Sequence, residues 1–427
     1  MRDEKQGGWF RARTYRHLDY PKTYKSAKSL ACNAQAVAAH QFLPLIRFVE
    51  ERRRFRTDNS DRTIPRRQRP TIVSTKARDI RYASHADAAI YQRYAYLLHE
   101  PYEHFLRSKH LDDAVIGYRS GKGSNVDMAA DAFTEIALRG NVVAICSDIK
   151  DFFPSISHSI LKQGLQRVLG VPLLSPDWYS VYRSLTKFSS LDLEQLARIE
   201  GFDPKKPPFP LVKDINQALD RCRIAKIIIP NPKNCEIPQG TPLSAIAANV
   251  AMHSFDEALQ SFAMGCDGVY RRYSDDVLLL VPPEKEQDAI DELSRVSNAN
   301  GLTISADKTE IARFKLSSGK QIADRPISYL GFCFDGQTTT LRPSTLSRYY
   351  RRMTYAARGA ARGAGKKGKA ASETFKRRLY RDFTHLGRRN FYSYSKRADA
   401  KMPRSVIKRQ LRKHFQILLR KIESRGK

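Results

Sequence analysis

The chain has 427 residues, 41% of them hydrophobic, and carries 75 Lys+Arg against 44 Asp+Glu for a formal net charge of +31. That length can bury one large core or two to three modest ones, and a basic excess so far beyond the needs of solubility points to a polyanionic partner. No run reaches the ~18 apolar residues of a membrane span, "MRDEKQGGWF" lacks a signal peptide's apolar core, and six cysteines without a C-x-x-C pair argue against a zinc site and a disulfide framework, so the expectation is a cytoplasmic protein that meets nucleic acid and no membrane.

Residues 1–70 are basic and dotted with aromatics, with "ERRRFR" and "IPRRQRP" bracketing a polar stretch expected to be a loop. From about 71 to 335 helical periodicities alternate with short apolar strands, the pattern of an α/β body. In "VVAICSDIKDFFPSI" (142–156) a short buried strand, Val142 to Cys146, is followed by Asp148. Taken singly, such an aspartate reads as an N-cap or turn residue. "GFDPKKPPFPLV" (201–212) is rich in Pro and reads as irregular, inside a long insertion between 157 and 236.

In "VYRRYSDDVLLLV" (269–281) two β-favouring runs meet at Asp275 and Asp276. An Asp-Asp pair between strands ordinarily stays in water as a turn. Here Val277 to Val281 is too apolar for a half-exposed strand, which predicts burial on both faces. Two carboxylates at the end of such a strand need a cation, and hard oxygen ligands suit Mg²⁺. If the strands at 142–146 and 277–281 are neighbours, Asp148 and Asp275 can share a pair of ions, which would stabilise the attacking and leaving oxygens of an in-line phosphoryl transfer. After about 340 the character changes to helical segments with 27 Lys+Arg against 4 Asp+Glu, 27 − 4 = +23. "ARGAARGAGKKGKAAS" interrupts them and is expected to be a mobile loop. No internal repeat is present.

These segments, in this order, resemble the reverse transcriptases. "SDIKDFFPSI" is similar to the family's first catalytic block, with an aromatic, Phe153, five positions after the strand aspartate. "IPQGTPLSAIAANVAMHSFD" (237–256) resembles the Pro-Gln-Gly block, "YSDD" the Tyr-x-Asp-Asp box, "NGLTISADKTEI" (300–311) the following helix-strand element with its lysine at Lys308, and "ISYLGFCF" (327–334) the primer-grip hairpin. Upstream, "STKARDIRYASHADAAIYQRYAYLLHEPYEHFL" and "IGYRSGKGSN" resemble the fingers blocks of the bacterial retron and group II intron type. The likeness covers roughly 70–335.

The resemblance implies an α/β (α+β) polymerase right hand: a basic N-terminal extension over 1–70, fingers and palm with an antiparallel catalytic sheet over 71–335 including the insertion at about 157–236, and a basic α-helical thumb over 336–427. It implies two Mg²⁺ ions, with Mn²⁺ as an alternative, at Asp148, Ile149, Asp275 and Asp276; Asp148 and Asp275 bind both, and Asp276 supports the site through charge and hydrogen bonding. Phe153 would lie under the sugar of the incoming nucleotide and favour dNTP over rNTP, while Phe152 packs the core. Gln239 and Gly240 would let backbone approach the base pair, glycine because it has no Cβ. Lys76 and Arg78 are candidates for the triphosphate, against the plainer reading of a solvated surface. Lys308 could protonate the pyrophosphate, Arg119 contact template phosphate, and Tyr329 and Gly331 touch the primer. In "FKRRLYRDFTHLGRRNFYSYSKRADA" basic residues interleave with aromatics, and Arg388 and Arg389 are expected to hold a duplex or a structured RNA by its backbone.

Neither the Val-Thr-Gly signature of retron enzymes nor the His-Asn-His endonuclease spacing of intron maturases is found, and the long insertion with the basic helical ending looks more like the bacterial unknown-group and abortive-infection enzymes of antiphage defence. The expected function is therefore RNA-directed DNA synthesis on a noncoding RNA in such defence, with RNA template, DNA primer and dNTPs as partners and a homo-oligomer left open. Alternatives are a template-independent nucleotidyltransferase on the same fold, or a maturase-like or non-catalytic RNA-binding protein.

Overall fold

The structure, a computed structural model, describes residues 8–58, 61, 63–65, 68–119, 121–366, 368 and 376–423; the side chains of residues 52–57, 76 and 423 lie outside that description. Its strands are, in chain order, β1 Leu45–Thr57, β2 Thr71–Tyr82, β3 Val142–Asp148, β4 Ser189–Asp192, β5 Ile228–Pro230, β6 Val269–Tyr273, β7 Asp276–Val281, β8 Glu310–Ser317, β9 Lys320–Ala323, β10 Ile327–Tyr329, β11 Phe332–Phe334 and β12 Thr339–Leu341. They belong to two compact units, one of Met1–Asp112, Lys150–Glu257 and Asn298–Leu302, the other of Asp113–Ile149, Ala258–Ser297 and Thr303–Lys427.

The first unit holds a four-stranded sheet in the order β2-β1-β4-β5. β1 and β2 form a long antiparallel hairpin, from Ile46 opposite Tyr82 to Thr57 opposite Thr71. One expectation changes here. "ERRRFR" lies in β1, before the polar stretch expected to be a loop, and the expected boundary at 70/71 falls inside that hairpin. The insertion is likewise part of the unit: β4 pairs in parallel with β1, and Leu191, Leu196, Leu211 and Leu219 share a core with Ile46. Residues 201–212 contain neither helix nor strand beyond the first turn position, as their prolines dictate. Helix His85–Ser108 starts at Ser84, whose side chain accepts from the Asp87 amide, and the buried Asp87 carboxylate accepts from the Leu43 amide at 3.1 Å and meets His40 Nε2 at 2.7 Å. Burial raises the Asp87 pKa, and the His40 contact opposes that rise.

The second unit is built on an antiparallel sheet in the order β6-β7-β3-β8-β9. Val277 to Val281 and Val142 to Cys146 are buried throughout, so these strands are covered on both faces. Helix Asn125–Arg139 contributes Phe133 and Ile136 to one core, which continues through the small sheet β10-β11-β12 into helices Pro343–Gly365, Arg377–Phe383, Phe391–Lys401 and His414–Glu423. The basic C-terminal region is thus packed onto the same core as the sheet.

The loop expected in "ARGAARGAGKKGKAAS" is corrected in its first half, where helix Pro343–Gly365 runs on through Arg358–Gly365. Each helical glycine costs about 1 kcal/mol relative to alanine. Against that, Met353, Ala357 and Ala364 keep one buried face, and a Cβ at Gly359, Gly363 or Gly365 would meet nothing within 4 Å, so these glycines lie on open faces. Residues 367 and 369–375, including Phe375, lie outside the described residues.

Candidate active site

β6 and β7 are joined by the two residues Ser274 and Asp275, with Tyr273 paired to Asp276. So short a hairpin turn demands positive φ, and Ser274 adopts it at +60°, a strained conformation for a side-chain-bearing residue. What holds it is a segment running alongside β6. The Arg272 amide donates to the Ala114 carbonyl at 2.7 Å, and the Ile116 amide donates back to the Arg272 carbonyl at 2.9 Å. The Arg272 side chain is fully buried and donates to the Ser274 carbonyl at 3.1 Å. The Ser274 hydroxyl donates to Tyr118 Oη at 3.3 Å. Gly117 lies so close under the turn that a Cβ would stand 2.7 Å from the Ser274 nitrogen. The turn carrying Asp275 is therefore clamped from below.

β3 lies between β7 and β8, and its register sets Asp148 directly opposite Asp276. Beyond the strand, the Ile149 amide donates to the Asp275 carbonyl at 2.9 Å, and the Ser305 amide donates to the Asp148 carbonyl at 2.9 Å. Asp148, Ile149, Asp275 and Asp276 are thus fastened together by backbone. Lys308 follows in the short helical turn Ala306–Lys308, and its ammonium donates to the Asp148 carboxylate.

Burial first, then the neighbouring Asp275 and Asp148 charges, push the Asp276 carboxyl up to about 7, while Arg342 and Lys308 pull it down. Arg342 begins the helix after the β10-β11-β12 sheet; its amide donates to the Gly331 carbonyl at 3.0 Å, and its guanidinium stands 3.7 Å from Glu310. A carboxylate so penalised is relieved by a cation, and three Asp side chains on adjoining strand ends form a hard-oxygen donor set that fits a divalent ion. As the side chains stand, no group of three or more His, Cys, Asp or Glu among the described residues is gathered to hold a metal; Asp148 is turned to Lys308.

The residues expected at the nucleotide belong to the first unit and form their own cluster. The Ile237 amide donates to the Phe153 carbonyl at 3.1 Å, and the Arg81 amide at the end of β2 donates to the Gln239 carbonyl at 2.9 Å. Gly240 has φ +130°, and a Cβ there would be 2.5 Å from the Arg81 carbonyl, so its missing side chain makes room for β2. Arg81 also pairs with Glu236 at 2.8 Å. Phe152 is buried and Phe153 half-buried, their rings edge to face at 5.5 Å. Arg78 lies half-buried on β2 opposite Glu50. Lys76 lies on the same strand, and its side chain is outside the described residues.

Two expected nucleic-acid contacts are corrected. Arg119 is buried and donates to the Val115 carbonyl at 2.7 Å, so its guanidinium serves the turn clamp. Tyr329 is 3% exposed within the core, because its strand alternates with that face inward. Gly331 sits at the β10–β11 turn with φ +97°, and Arg388 and Arg389 are exposed. Arg272, Arg342 and Arg81 were missed. Arg272 was legible in the alternation Tyr270, Arg272, Ser274; the other two carry no local signal.

A family model described as reverse transcriptase (RNA-dependent DNA polymerase) matches residues 90–334. The chain is similar in structure to apo telomerase from Candida tropicalis truncated from its C-terminal domain, at 10% identity and a TM-score of 0.41, covering 78% of this chain and 63% of that one. It is similar also to the insertion-loop deletion mutant of the RNA-dependent RNA polymerase of a human picobirnavirus, at 13% identity and a TM-score of 0.36, covering 61% of this chain and 41% of that one. The chain spans less than two thirds of the length of either. No curated protein sequence matches it.

Proposed function

The chain belongs to the reverse transcriptase (RNA-dependent DNA polymerase) family, and from that premise we propose that it extends a DNA primer by copying RNA. The observation that carries the reading is the register of β3 against β7, which sets Asp148 opposite Asp276 with Asp275 on the adjoining clamped turn. Enzymes of this family use divalent metal ions, and the fold is the mixed α/β polymerase right hand with antiparallel sheets and C-terminal helices.

In the proposed reaction the primer 3′-oxygen forms a bond to the α-phosphorus of a dNTP, the bond from that phosphorus to the pyrophosphate oxygen breaks, and the hydroxyl proton is released. Asp148, Ile149 and Asp275 would hold the divalent ions, which when bound would supply positive charge to the attacking and leaving oxygens. Asp276 adds charge beside them. The clamp of Arg272, Gly117 and Tyr118 holds the backbone of the turn, so only side-chain rotation, such as that of Asp148 away from Lys308, is needed to gather the carboxylates. We assign Lys308 to proton donation to the departing pyrophosphate; its ion pair with Asp148 keeps the ammonium at the carboxylates. Phe153 is assigned to the sugar gate and Arg78, with Lys76, to the triphosphate. The C-terminal helices, with Arg388 and Arg389 outward, are assigned to a thumb that grips nucleic acid by its backbone.

We further propose a structured noncoding RNA as template and antiphage defence as the setting, supported by the sequence likeness to defence-associated enzymes and by the basic C-terminal helices. Primer extension on poly(rA) with oligo(dT) and Mg²⁺ tests the activity. Addition to the primer without template would favour the untemplated alternative, and inertness with every primer and either ion would sink both. Sequencing nucleic acid co-purified with the protein tests the choice of template.

A further inference from the structure

Between helix Pro343–Gly365 and the turn that leads into helix Phe391–Lys401 lies a cavity of about 430 Å³, within the size range of small-ligand sites at roughly 300–1,000 Å³. Arg348 and Arg352, one helical turn apart, line one wall, and Arg389 lines the other; all three are exposed. Aromatic rings line the interior: Tyr349 and Phe391 pack at 4.6 Å and 30°, with Phe383 6.1 Å from Tyr349.

The charges around this cavity do not balance. Its one carboxylate, Asp382, is drawn away to Arg381 at 2.9 Å and Arg378 at 3.6 Å. Among the described residues no carboxylate pairs with Arg348, Arg352 or Arg389. Like charges four residues apart on a helix repel, and the facing Arg389 adds a third. An anion placed among them relieves that repulsion and receives planar, fork-shaped donors suited to phosphate.

The walls are preformed. Tyr349 Oη donates to the Phe383 carbonyl at 2.6 Å, which fixes its ring. Asn390 donates to the Arg381 and Thr384 carbonyls at 2.8 and 2.7 Å and accepts from the Ser393 amide at 2.9 Å, locking the turn. Arg389 is held there at φ +55°, a conformation costly for a non-glycine residue, and Gly387 packs so tightly on the Arg381 carbonyl that no side chain fits. Arginines alone would suit the outer backbone of a duplex. Aromatic rings beside them suit something else, since a nucleobase is a flat face that stacks on them once unpaired.

We propose that this pocket seats one unpaired nucleotide of a bound strand, its phosphate held by Arg348, Arg352 and Arg389 and its base against Phe383 and Phe391. The inference goes beyond backbone gripping by the C-terminal helices, and its test is independent of polymerisation.

The experiment measures fluorescence anisotropy of the full-length protein with a labelled rU pentamer, in EDTA and without dNTPs, so that no catalytic step enters the readout. The same pentamer with the central residues abasic serves as the second probe. Base stacking of this kind is lost with roughly 5- to 100-fold in affinity, so the abasic probe should bind at least about fivefold more weakly. R348Q/R352Q should weaken the rU pentamer about tenfold or more and shrink the difference between the two probes. If the double variant melts early, Arg348→Lys, which keeps the charge and loses the fork, should still reduce binding. Equal affinity for the rU and abasic probes would overturn the proposal and leave a phosphate site only. Wild-type binding by a folded R348Q/R352Q would overturn it altogether.

Discussion

With divalent ions removed, Asp276→Asn should be more stable than the wild type at pH 8, although it deletes a carboxylate from the active centre. Burial and the adjacent Asp275 and Asp148 raise the Asp276 carboxyl from 3.8 to about 7. The folded chain then keeps this proton up to about pH 7, whereas the unfolded chain releases it near pH 4. Between those values the folded form binds more protons, so stability falls as pH rises from about 4 to about 7 and stays low above that. Three pH units at about 1.4 kcal/mol each give a full penalty of ~4 kcal/mol, of which ~1.4 kcal/mol develops between pH 6 and pH 8. The assay is urea unfolding of both proteins in EDTA at pH 6 and pH 8, and the wild type should lose about that much more than the variant between the two. Mg²⁺ added at pH 8 should restore the wild type more than the variant. Parallel pH profiles for the two proteins would refute the reasoning, since the buried carboxylate would then carry no penalty for a cation to relieve.

Asp148→Ala or Asp275→Ala should lower nucleotide addition by ~10³-fold or more in primer extension, with unchanged circular dichroism; incorporation at the wild-type rate would overturn the site. Phe153→Ala should admit rNTPs, relaxing a discrimination of ~10²-fold while dNTP use is kept, and a variant inert with both would make Phe153 a packing residue. Gly117→Ala puts a methyl 2.7 Å from the Ser274 nitrogen, an overpacking that costs about 1–3 kcal/mol; kcat for extension should fall more than the melting temperature does, and normal values of both would mean that the turn needs no clamp. Arg388 and Arg389 changed together to Ala should weaken binding across unrelated sequences and flatten the salt dependence by roughly 0.7–0.9 for each phosphate no longer neutralised; an unchanged slope would return these residues to a solvated surface.

Where the carboxylates sit along the chain could be read from local pattern alone. Runs such as Val142–Cys146 and Val277–Val281 are apolar at every position, as suits a strand covered on both faces, and an aspartate adjoins each: Asp148 two residues after the first, Asp276 directly before the second. The order of the blocks then carried the family. Local pattern failed where two tendencies compete. The glycines of Gly359–Gly365 suggested a loop, but helix continuation is decided by whether one face stays buried, and Ala357 and Ala364 keep it so.

Only the tertiary structure could decide where the charged and amphipathic side chains point. Arg272 and Arg119 are turned inward because carbonyls of Ser274 and Val115 await them, while Arg348, Arg352 and Arg389 face a cavity whose carboxylate, Asp382, pairs with Arg381 and Arg378 instead. Tyr329 went to the core and Gly331 to the turn for the same kind of reason. A backbone repeat of 2 or 3.6 residues is written in the residues that form it. The partner of an arginine is supplied by whichever distant segment folds against it, as are the register that sets Asp148 against Asp276 and the pocket beneath Arg389. Strand and helix positions were therefore determined by the sequence itself, and the direction and pairing of its many charges by the packing of segments far apart in the chain.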